Sequence, residues 1–377
     1  MTNRARRSIL LACALAWPAC RSSPLTAGTQ PATCPSTHGA TPVTTTSGNV
    51  DAMLSDGENL YVLDKSHATV SVAPVGGGSL TTLATFPTWW GGECGQPSFL
   101  VDCLDAAMAA DDDNIYAGGP LGIYSVPKSG GTPRPIITYD GKSAFMFGTL
   151  VFAGGSLFWQ EGDIVPVDEG LTLSVRMLQL TAPADASATP QPFPSSGETT
   201  SSSTILASDG SSMYWMGDGE NPGGYGIRAA PIAGGAATTI YTSDTLAVEN
   251  LTIAGGKVIW NNQQFTGGPI SGPIEAQSPN ELVQAIASDG SGAAKSLITF
   301  PKNTDPGVRV LGDAHFAYAA VFDFEAGTSA IMAAKLSGGA AKTLAKVPDL
   351  LLATVDACNV YYATTDGAIE KLGKPSP

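Results

Sequence analysis

Few side chains in this sequence have the types and spacing that catalysis requires. The chain has three histidines, His38, His67 and His315, and they are widely separated. No Gly-x-Ser-x-Gly or His-Glu-x-x-His motif occurs, so neither a serine nucleophile on a strand–helix turn nor a zinc-protease helix is predicted. From its motifs we expect no catalytic residue, no metal site and no cofactor. A carboxylate pair of the glycosidase type stays open, because a sequence does not show distances.

Side chains better suited to binding lie near predicted strand ends and connections: Trp89, Trp90, Asp163, Asp168, Asn261 and Asn262. The tryptophan pair could stack on a sugar, a peptide or a partner protein, although one ring could instead pack beneath its own loop. The two aspartates, with Glu169, could help to bind a cation or a basic partner, or could form a solvated acidic loop. The two asparagines could line a polar site near a strand end.

The composition favours a β protein with many turns. The 377 residues include 44 Gly and 27 Pro, too many breakers for a helical bundle or a coiled coil, and 43% are hydrophobic, which is enough for a large core. The net charge of −14 argues against nucleic acid and anionic membrane surfaces as partners.

The N-terminal region has the pattern of an export signal. Arginines precede a short apolar stretch that ends before Cys20, so we interpret residues 1–19 as a signal peptide. Cys20 follows an alanine and is the predicted lipidation site of a bacterial lipoprotein, with Cys13 as the other candidate; an Arg-Arg pair leaves Sec or Tat export open. Residues 20–36 are expected to be a flexible tether. We therefore expect the protein in the bacterial cell envelope, outer membrane-anchored or periplasmic, touching the membrane only through a lipid.

A unit of about 50 residues recurs seven times and fills the rest of the chain. Each copy has an apolar strand, a tight turn, a strand with apolar or aromatic residues, an alternating strand, a Gly-rich turn and a last strand. The second strands begin at residues 60, 115, 157, 213, 258, 316 and 360. One such sheet cannot bury both faces, but seven packed radially can. For residues 37–377 we predict an all-β fold, a seven-bladed β-propeller of four-stranded antiparallel blades, with a β-sandwich or stacked β-domains as the alternative.

The two ends of the chain are expected to share one blade. The seventh unit stops after three strands, and the stretch Thr41–Thr46 has the pattern of the missing one. We expect the last blade to be closed by the N-terminal strand, which leaves no open sheet edge.

Four cysteines remain outside the signal region, an even number in a chain expected to be exported. Three pairings are open. We predict Cys94–Cys103 within one connection, and Cys34–Cys358 between the closing strand and the blade that it completes. A zinc site is the rival interpretation, but no Cys-x-x-Cys is present.

The repeat also resembles those of known propellers. Residues 56–61 and 209–214 carry the pattern Asp-Gly-x-x-φ-Tyr, in which φ is an apolar residue. This pattern resembles the YWTD-like and TolB-like propeller repeats over about residues 40–372, although Trp-Thr-Asp itself does not recur. The resemblance implies the fold and does not choose among enzymes, binders and scaffolds.

We letter the strands of a blade a to d from the axis outward, so that the b–c and d–a connections lie on one face, the top. Long connections are predicted there at about 87–102, Gly162–Gly170, Gly217–Gly226 and Gln263–Asn280. Because variable loops on a rigid scaffold often carry function, we expect a non-catalytic monomer that binds a protein or a glycan through these loops. The alternatives are an exported hydrolase or lyase with an acidic site at the mouth of the central channel, and a purely structural envelope protein.

Overall fold

The computed structural model describes residues 21–22, 34, 39–87, 107–119, 121–139, 144–167, 170–181, 183, 188–194, 199–200, 206–218, 225–243, 246–264, 282–300, 304–305, 309–323 and 328–376. Every regular element within these residues is a β strand. None of them forms a helix of the length and hydropathy needed to cross a bilayer.

The strands form seven four-stranded antiparallel blades in a ring, as predicted. Their strands, in the order a to d, are: blade one, β3 (Ala52–Ser55), β4 (Asn59–Asp64), β5 (Thr69–Pro74) and β6 (Thr81–Thr85); blade two, β7 (Ala107–Ala110), β8 (Asn114–Gly119), β9 (Gly122–Pro127) and β10 (Arg134–Thr138); blade three, β11 (Ala144–Ala153), β12 (Ser156–Val167), β13 (Gly170–Thr181) and β14 (Gln191–Pro192); blade four, β16 (Leu206–Ser208), β17 (Ser212–Asp218), β18 (Tyr225–Pro231) and β19 (Thr238–Ser243); blade five, β20 (Leu246–Ala254), β21 (Lys257–Gln264), β22 (Leu282–Ala287) and β23 (Lys295–Thr299); blade six, β25 (Val310–Gly312), β26 (Phe316–Asp323), β27 (Thr328–Lys335) and β28 (Lys342–Val347); blade seven, β29 (Leu350–Val355), β30 (Asn359–Thr364), β31 (Ala368–Gly373) and β2 (Ala40–Thr45).

The innermost strands close the ring. Each a strand contacts the a strand of the next blade, and β29 of blade seven contacts β3 of blade one. Two short strands add to the blades: β15 (Thr199–Thr200) pairs with β13, and β24 (Thr304–Asp305) pairs with β26. The seven sectors inferred from the repeat are therefore all present.

The core lies between the blades. Apolar clusters join neighbouring blades around the ring; one, for example, contains Trp159 of blade three with Tyr116 of blade two, and another contains Trp260 of blade five with Tyr214 of blade four. The b strands are apolar along their length because a neighbouring blade covers each of their faces; Leu60–Leu63 are at most 2% exposed. The d strands form the rim and are more exposed; in β6 the three threonines are exposed and only Ala84 is buried.

Two kinds of a–b turn connect the inner strands. Blades three and five use the pairs Gly154-Gly155 and Gly255-Gly256, in which all four residues have positive φ. A two-residue turn of this hand fits the twist of the strands that it joins, and only glycine adopts it without strain. The other five blades have a longer turn that begins with aspartate.

The b–c connection of blade three differs from our expectation. We predicted a long loop over Gly162–Gly170, but β12 continues to Val167 and β13 begins at Gly170, with paired residues throughout. The alternation of apolar residues through 164–173 is therefore a strand pattern. In blade six the repeat is displaced by one residue from our alignment, since Tyr318 occupies the position of Tyr61.

The N-terminal strand completes blade seven, as predicted. β2 pairs with β31, with Thr44 opposite Ile369 and a bulge at Val43. A disulfide between Cys34 and Cys358, with Cα atoms 5.2 Å apart, fixes the chain just before this strand to the a–b turn of the same blade. The predicted Cys94–Cys103 bond lies outside the described residues.

A short strand also lies in the central channel. β1 (Arg21–Ser22), the start of the predicted tether, pairs in parallel with β7 and contacts the a strands of blades one and three. Its partner Ala107 begins β7 at the top end of that strand, so this part of the channel mouth holds the chain itself.

Candidate functional site

The aspartates of the repeat sequence form turns on the bottom face. In blade one, Asp56 Oδ1 accepts the backbone N–H groups of Glu58 and Asn59 at 3.1 and 2.8 Å, and the Tyr61 hydroxyl donates to Oδ2 at 2.9 Å. The same Asp–Tyr unit, five residues apart, occurs in blades two, four, six and seven: Asp111–Tyr116, Asp209–Tyr214, Asp313–Tyr318 and Asp356–Tyr361. These acids satisfy turn N–H groups, as Asx turns do, so the most regular acidic pattern in the sequence is structural.

Several Asp–Tyr units also contact the next blade. Lys128 of blade two pairs with Asp56 at 3.2 Å, and Lys374 of blade seven pairs with Asp313 at 2.8 Å with a side chain only 4% exposed. The hydroxyl of Ser55 in blade one donates to Asp356 of blade seven at 3.3 Å. The units therefore stabilise both the turns and the contacts between blades.

These contacts perturb the titration of both partners. Burial opposes ionisation of Asp56, but the turn N–H groups, the Tyr61 hydroxyl and Lys128 together hold the pKa of Asp56 below its usual value. Burial likewise opposes ionisation of Asp209 and Asp313, but turn N–H groups, Ser211 and Tyr214 lower the pKa of Asp209, and Lys374, Tyr318 and a turn N–H lower that of Asp313. Burial, followed by the bond to Asp209, raises the pKa of Tyr214 to about 12.

Of the predicted binding residues, Trp89, Trp90 and Asp168 lie outside the described residues. Asn261 and Asn262 are fully buried at the top of blade five. Asn261 Oδ1 accepts the backbone N–H of Asn250 at 2.9 Å beside a bulge in β20, and Asn262 bonds Trp260 and Gln284. Both amides thus have structural partners in their own blade, and ligand binding by them stays a prediction.

Asp163 belongs to a polar network on the upper half of blade three. Arg176 binds the buried Glu161, with Nε 2.8 Å from Oε1, and its Nε lies 3.7 Å from Asp163 Oδ2. Trp159 Nε1 donates to the Tyr139 hydroxyl of blade two at 2.8 Å. Burial, together with the nearby Glu161 charge, raises the pKa of Asp163 although Arg176 opposes this shift. Arg176 therefore interacts with both carboxylates.

The b–c turn of blade one carries a histidine that the sequence analysis did not single out. His67 Nδ1 lies 2.7 Å from Asp64 Oδ2, the His67 backbone N–H donates to Oδ1 at 3.1 Å, and the Ser66 hydroxyl donates to the same oxygen at 2.6 Å. Asp64 is 7% exposed, whereas the His67 side chain is 65% exposed. The signal in the sequence is Asp-x-x-His at the end of a b strand. It is weak, because the three histidines of the chain are scattered and share no motif.

The d–a connection that precedes blade one lies close to the Asp64 carboxylate. A Cβ atom on Gly48 would lie 1.9 Å from Asp64 Oδ2, so only glycine permits the approach. Asp51 Oδ2 accepts the Lys65 backbone N–H at 2.7 Å. Two connections of the top face thus hold the turn in one conformation. We name residues 64–68 the histidine turn.

The histidine turn has the residue types of a serine-hydrolase triad but a different geometry. Ser66 Oγ lies 3.1 Å from Nδ1, the nitrogen that also faces Asp64, and it donates to Asp64. In a triad the serine bonds the other ring nitrogen, which takes its proton. This arrangement therefore orients an imidazole without activating a serine. Within the described ranges no three His, Cys, Asp or Glu side chains group closely enough to hold a metal ion.

Comparison with known proteins supports the fold alone. No protein-family model and no curated protein matches the sequence. Among solved structures, the chain is similar to oligogalacturonate lyase in complex with manganese, at 10% identity and a TM-score of 0.56, over 85% of this chain and 87% of that one. It is also similar to virginiamycin B lyase from Staphylococcus aureus, at 14% identity and a TM-score of 0.51, over 89% and 99%. A third is the extracellular domain of a hybrid two component system from B. thetaiotaomicron, at 11% identity and a TM-score of 0.54, over 90% and 40%.

Proposed function

We propose that the protein is a non-catalytic, exported binding propeller, anchored in the bacterial envelope through a lipid on Cys20, that holds a protein or a glycan by its top-face connections. The observation that carries the proposal is the asymmetry of the two faces. The bottom connections are short and are fixed by Asp–Tyr units and glycine turns, with 182–190 as the longest. Two long stretches between strands, 86–106 and 265–281, follow the top ends of β6 and β21. Length variation on one face of a rigid ring is typical of a binding scaffold.

The enzymatic alternative has less support in the described residues. A site at the mouth of the channel would have to work around β1, which lies against the a strands of three blades. The two carboxylates that do come together, Glu161 and Asp163, share Arg176 on a b strand, away from the axis. A glycosidase needs its two carboxyl groups on either side of the bond that is cleaved, whereas Arg176 here lies against both Glu161 and Asp163.

The experiment compares the mature protein with the variant Trp89→Ala/Trp90→Ala. Both are tested for binding to a glycan array and for crosslinking to purified envelope proteins. The control Glu58→Ala/Ser291→Ala changes two exposed residues of bottom turns. We expect the tryptophan variant to lose most of its binding and the control to keep it. Equal binding by the parent and the tryptophan variant, or no binding by the parent, would contradict the proposal. Mass spectrometry of the mature N-terminus tests acylation at Cys20.

A further inference from the structure

The innermost strand of blade two turns one edge toward the central channel. Within its own blade β7 pairs only with β8, because it is the first strand of that blade. Its other edge carries backbone N–H and C=O groups at the spacing of a strand. Main-chain hydrogen bonds along such an edge bind an extended polypeptide without requiring a particular side-chain sequence.

The chain itself shows that this edge accepts a strand. β1 lies along β7 in parallel, with Arg21 opposite Ala107 and Ser22 opposite Met108. It also contacts β3 and β11, the innermost strands of the two neighbouring blades. The inner strands of three blades therefore surround β1, although its two residues belong to none of the seven repeats.

The pairing with β1 covers only half of the edge. β7 has four residues, Ala107–Ala110, and β1 pairs with the first two. Among the described residues, no strand pairs with the other two on the channel side. Pro24 follows Ser22 by two residues and has no N–H group to donate to a longer ladder. A peptide without proline that pairs along all four residues would therefore form more backbone hydrogen bonds than β1 does.

We propose that the inner edge of β7 is an acceptor site for an extended polypeptide that adds in parallel to the strand, and that β1 is an internal occupant which a longer peptide replaces. β1 makes few backbone bonds, but it competes at a high effective concentration, because the chain that follows it is bonded to the ring at Cys34. A partner therefore needs more paired residues, or a concentration on the order of millimolar. The inference goes beyond the proposed function, because it involves the ring axis and none of the long top-face connections.

Hydrogen exchange at single-residue resolution tests whether β1 occupies the edge in solution. The mature protein is compared with Arg21→Pro/Ser22→Pro, which removes both N–H donors, and with the control Arg21→Ala/Ser22→Ala, which keeps the backbone groups. We expect the β7 amides that face the channel to exchange about five- to tenfold faster in the proline variant, as for one lost hydrogen bond, and to be unchanged in the alanine control. The amides of β16 in blade four are the reference in each sample, because unfolding of the ring would speed their exchange as well.

Peptide binding tests whether the same edge accepts a partner. The probe is a fluorescent hexapeptide, Arg-Ser-Ser-Val-Leu-Thr, which has the sequence of residues 21–26 with valine in the place of Pro24. Its anisotropy is measured with the parent and with the proline variant, and the control is the same peptide with N-methylated backbone amides. We expect the probe to bind the variant about five- to tenfold more tightly than the parent, since β1 no longer competes, and to restore slow exchange in β7. The N-methylated peptide should bind neither protein.

Equal exchange of the β7 amides in the parent and the proline variant, or equally fast exchange in the proline and alanine variants, would overturn β1 as a backbone-held occupant. Absence of probe binding, or binding that leaves β7 exchange in the proline variant unchanged, would overturn the acceptor site. None of these results bears on the proposed function, which is tested separately by Trp89→Ala/Trp90→Ala.

Discussion

At the residue scale, the same residue types serve opposite purposes on the two faces. Five aspartates of bottom turns accept hydrogen bonds from backbone N–H groups and a tyrosine hydroxyl, and are fully used by the fold. Asp64 on the top face also accepts bonds from its own turn, but one of its partners is an exposed imidazole. The difference lies in the partner, since an exposed ring nitrogen can meet a ligand and a buried phenol cannot.

The Asp–Tyr units predict a stability that falls at both ends of the pH scale. Asp56, Asp209 and Asp313 have lowered pKa values in the folded state, so their contribution is present above their unfolded pKa, near 3.8, and is lost as the pH falls through the folded pKa. Tyr214 has its pKa raised from 10.0 to about 12, so its contribution is complete below pH 10.0 and is lost as the pH rises toward 12. Urea unfolding midpoints measured from pH 2 to 12 test both the loss of stability in acid and the loss in alkali.

The variant Asp313→Asn serves as the control for the acid limb. Asparagine does not titrate, so its midpoint should be lower at neutral pH, where Lys374 has lost its charged partner, and should change less between pH 5 and pH 2. An acid limb of unchanged steepness in this variant would mean that other carboxylates cause it.

At the element scale, the a–b turns contact the neighbouring blades. The two Gly-Gly turns lie against the next blade: a Cβ on Gly255 would meet the Ala314 carbonyl oxygen at 2.7 Å, and one on Gly154 would meet the Ile232 side chain at 2.9 Å. An aspartate turn needs three residues and a tyrosine anchor, whereas a Gly-Gly turn needs only two residues with positive φ. At the other end of blade three, the b and c strands continue as a hairpin of 12 residues each, longer than the b and c strands of the other blades.

We expect Gly255→Ala to destabilise the protein by about 1–3 kcal/mol, because alanine is strained at a φ of 55° and its methyl group would collide with blade six. Gly76→Ala is the matched control: its φ is not positive, and no atom lies within 4 Å of the added methyl group. Denaturant unfolding measures both. If Gly76→Ala destabilises the protein as much as Gly255→Ala does, the collision with blade six is not the cause.

At the scale of the whole molecule, the two ends of the chain are fastened together. β2 closes blade seven, Cys34 is bonded to Cys358, and Lys374 donates to the Asp356 carbonyl while pairing with Asp313. Blade seven is therefore held by both termini and by its neighbour in blade six. The outer d strands remain as the short sheet edges of the ring, and β2 supplies that strand in blade seven.

Replacing both bonded cysteines, Cys34→Ser/Cys358→Ser, is expected to lower the free energy of unfolding by about 5 kcal/mol in the chain-entropy model, because the bond spans 324 residues. Guanidinium unfolding with and without reductant measures the loss. The parent in reductant should match the double variant in reductant, since both then also lack the predicted Cys94–Cys103 bond. A loss below about 1 kcal/mol would mean that strand pairing alone keeps the ring closed.

The sequence by itself determined the number of blades, their strand order and the way in which the ring closes, because a period of about 50 residues with alternating apolar positions permits few other packings. The pairing of Cys34 with Cys358, one of three open pairings, was predicted from the same order and is confirmed. The limits of the strands did not follow from the sequence alone: residues 162–170 include loop-like glycines and acids, and pairing across the hairpin shows that 162–167 and 170 belong to strands.

Only the tertiary structure decided which polar residues are used by the fold. Asn261, Asn262 and the turn aspartates have the composition of a site, yet the fold uses them: Asn261 bonds Asn250 of the neighbouring strand, and Asp356 also accepts a bond from Ser55 of the next blade. The sequence does not distinguish His67 from the other two histidines; its 2.7 Å contact with Asp64 does. Hydrogen-bond partners and exposure are properties of three-dimensional distance, and a linear pattern constrains them only where it also constrains the packing.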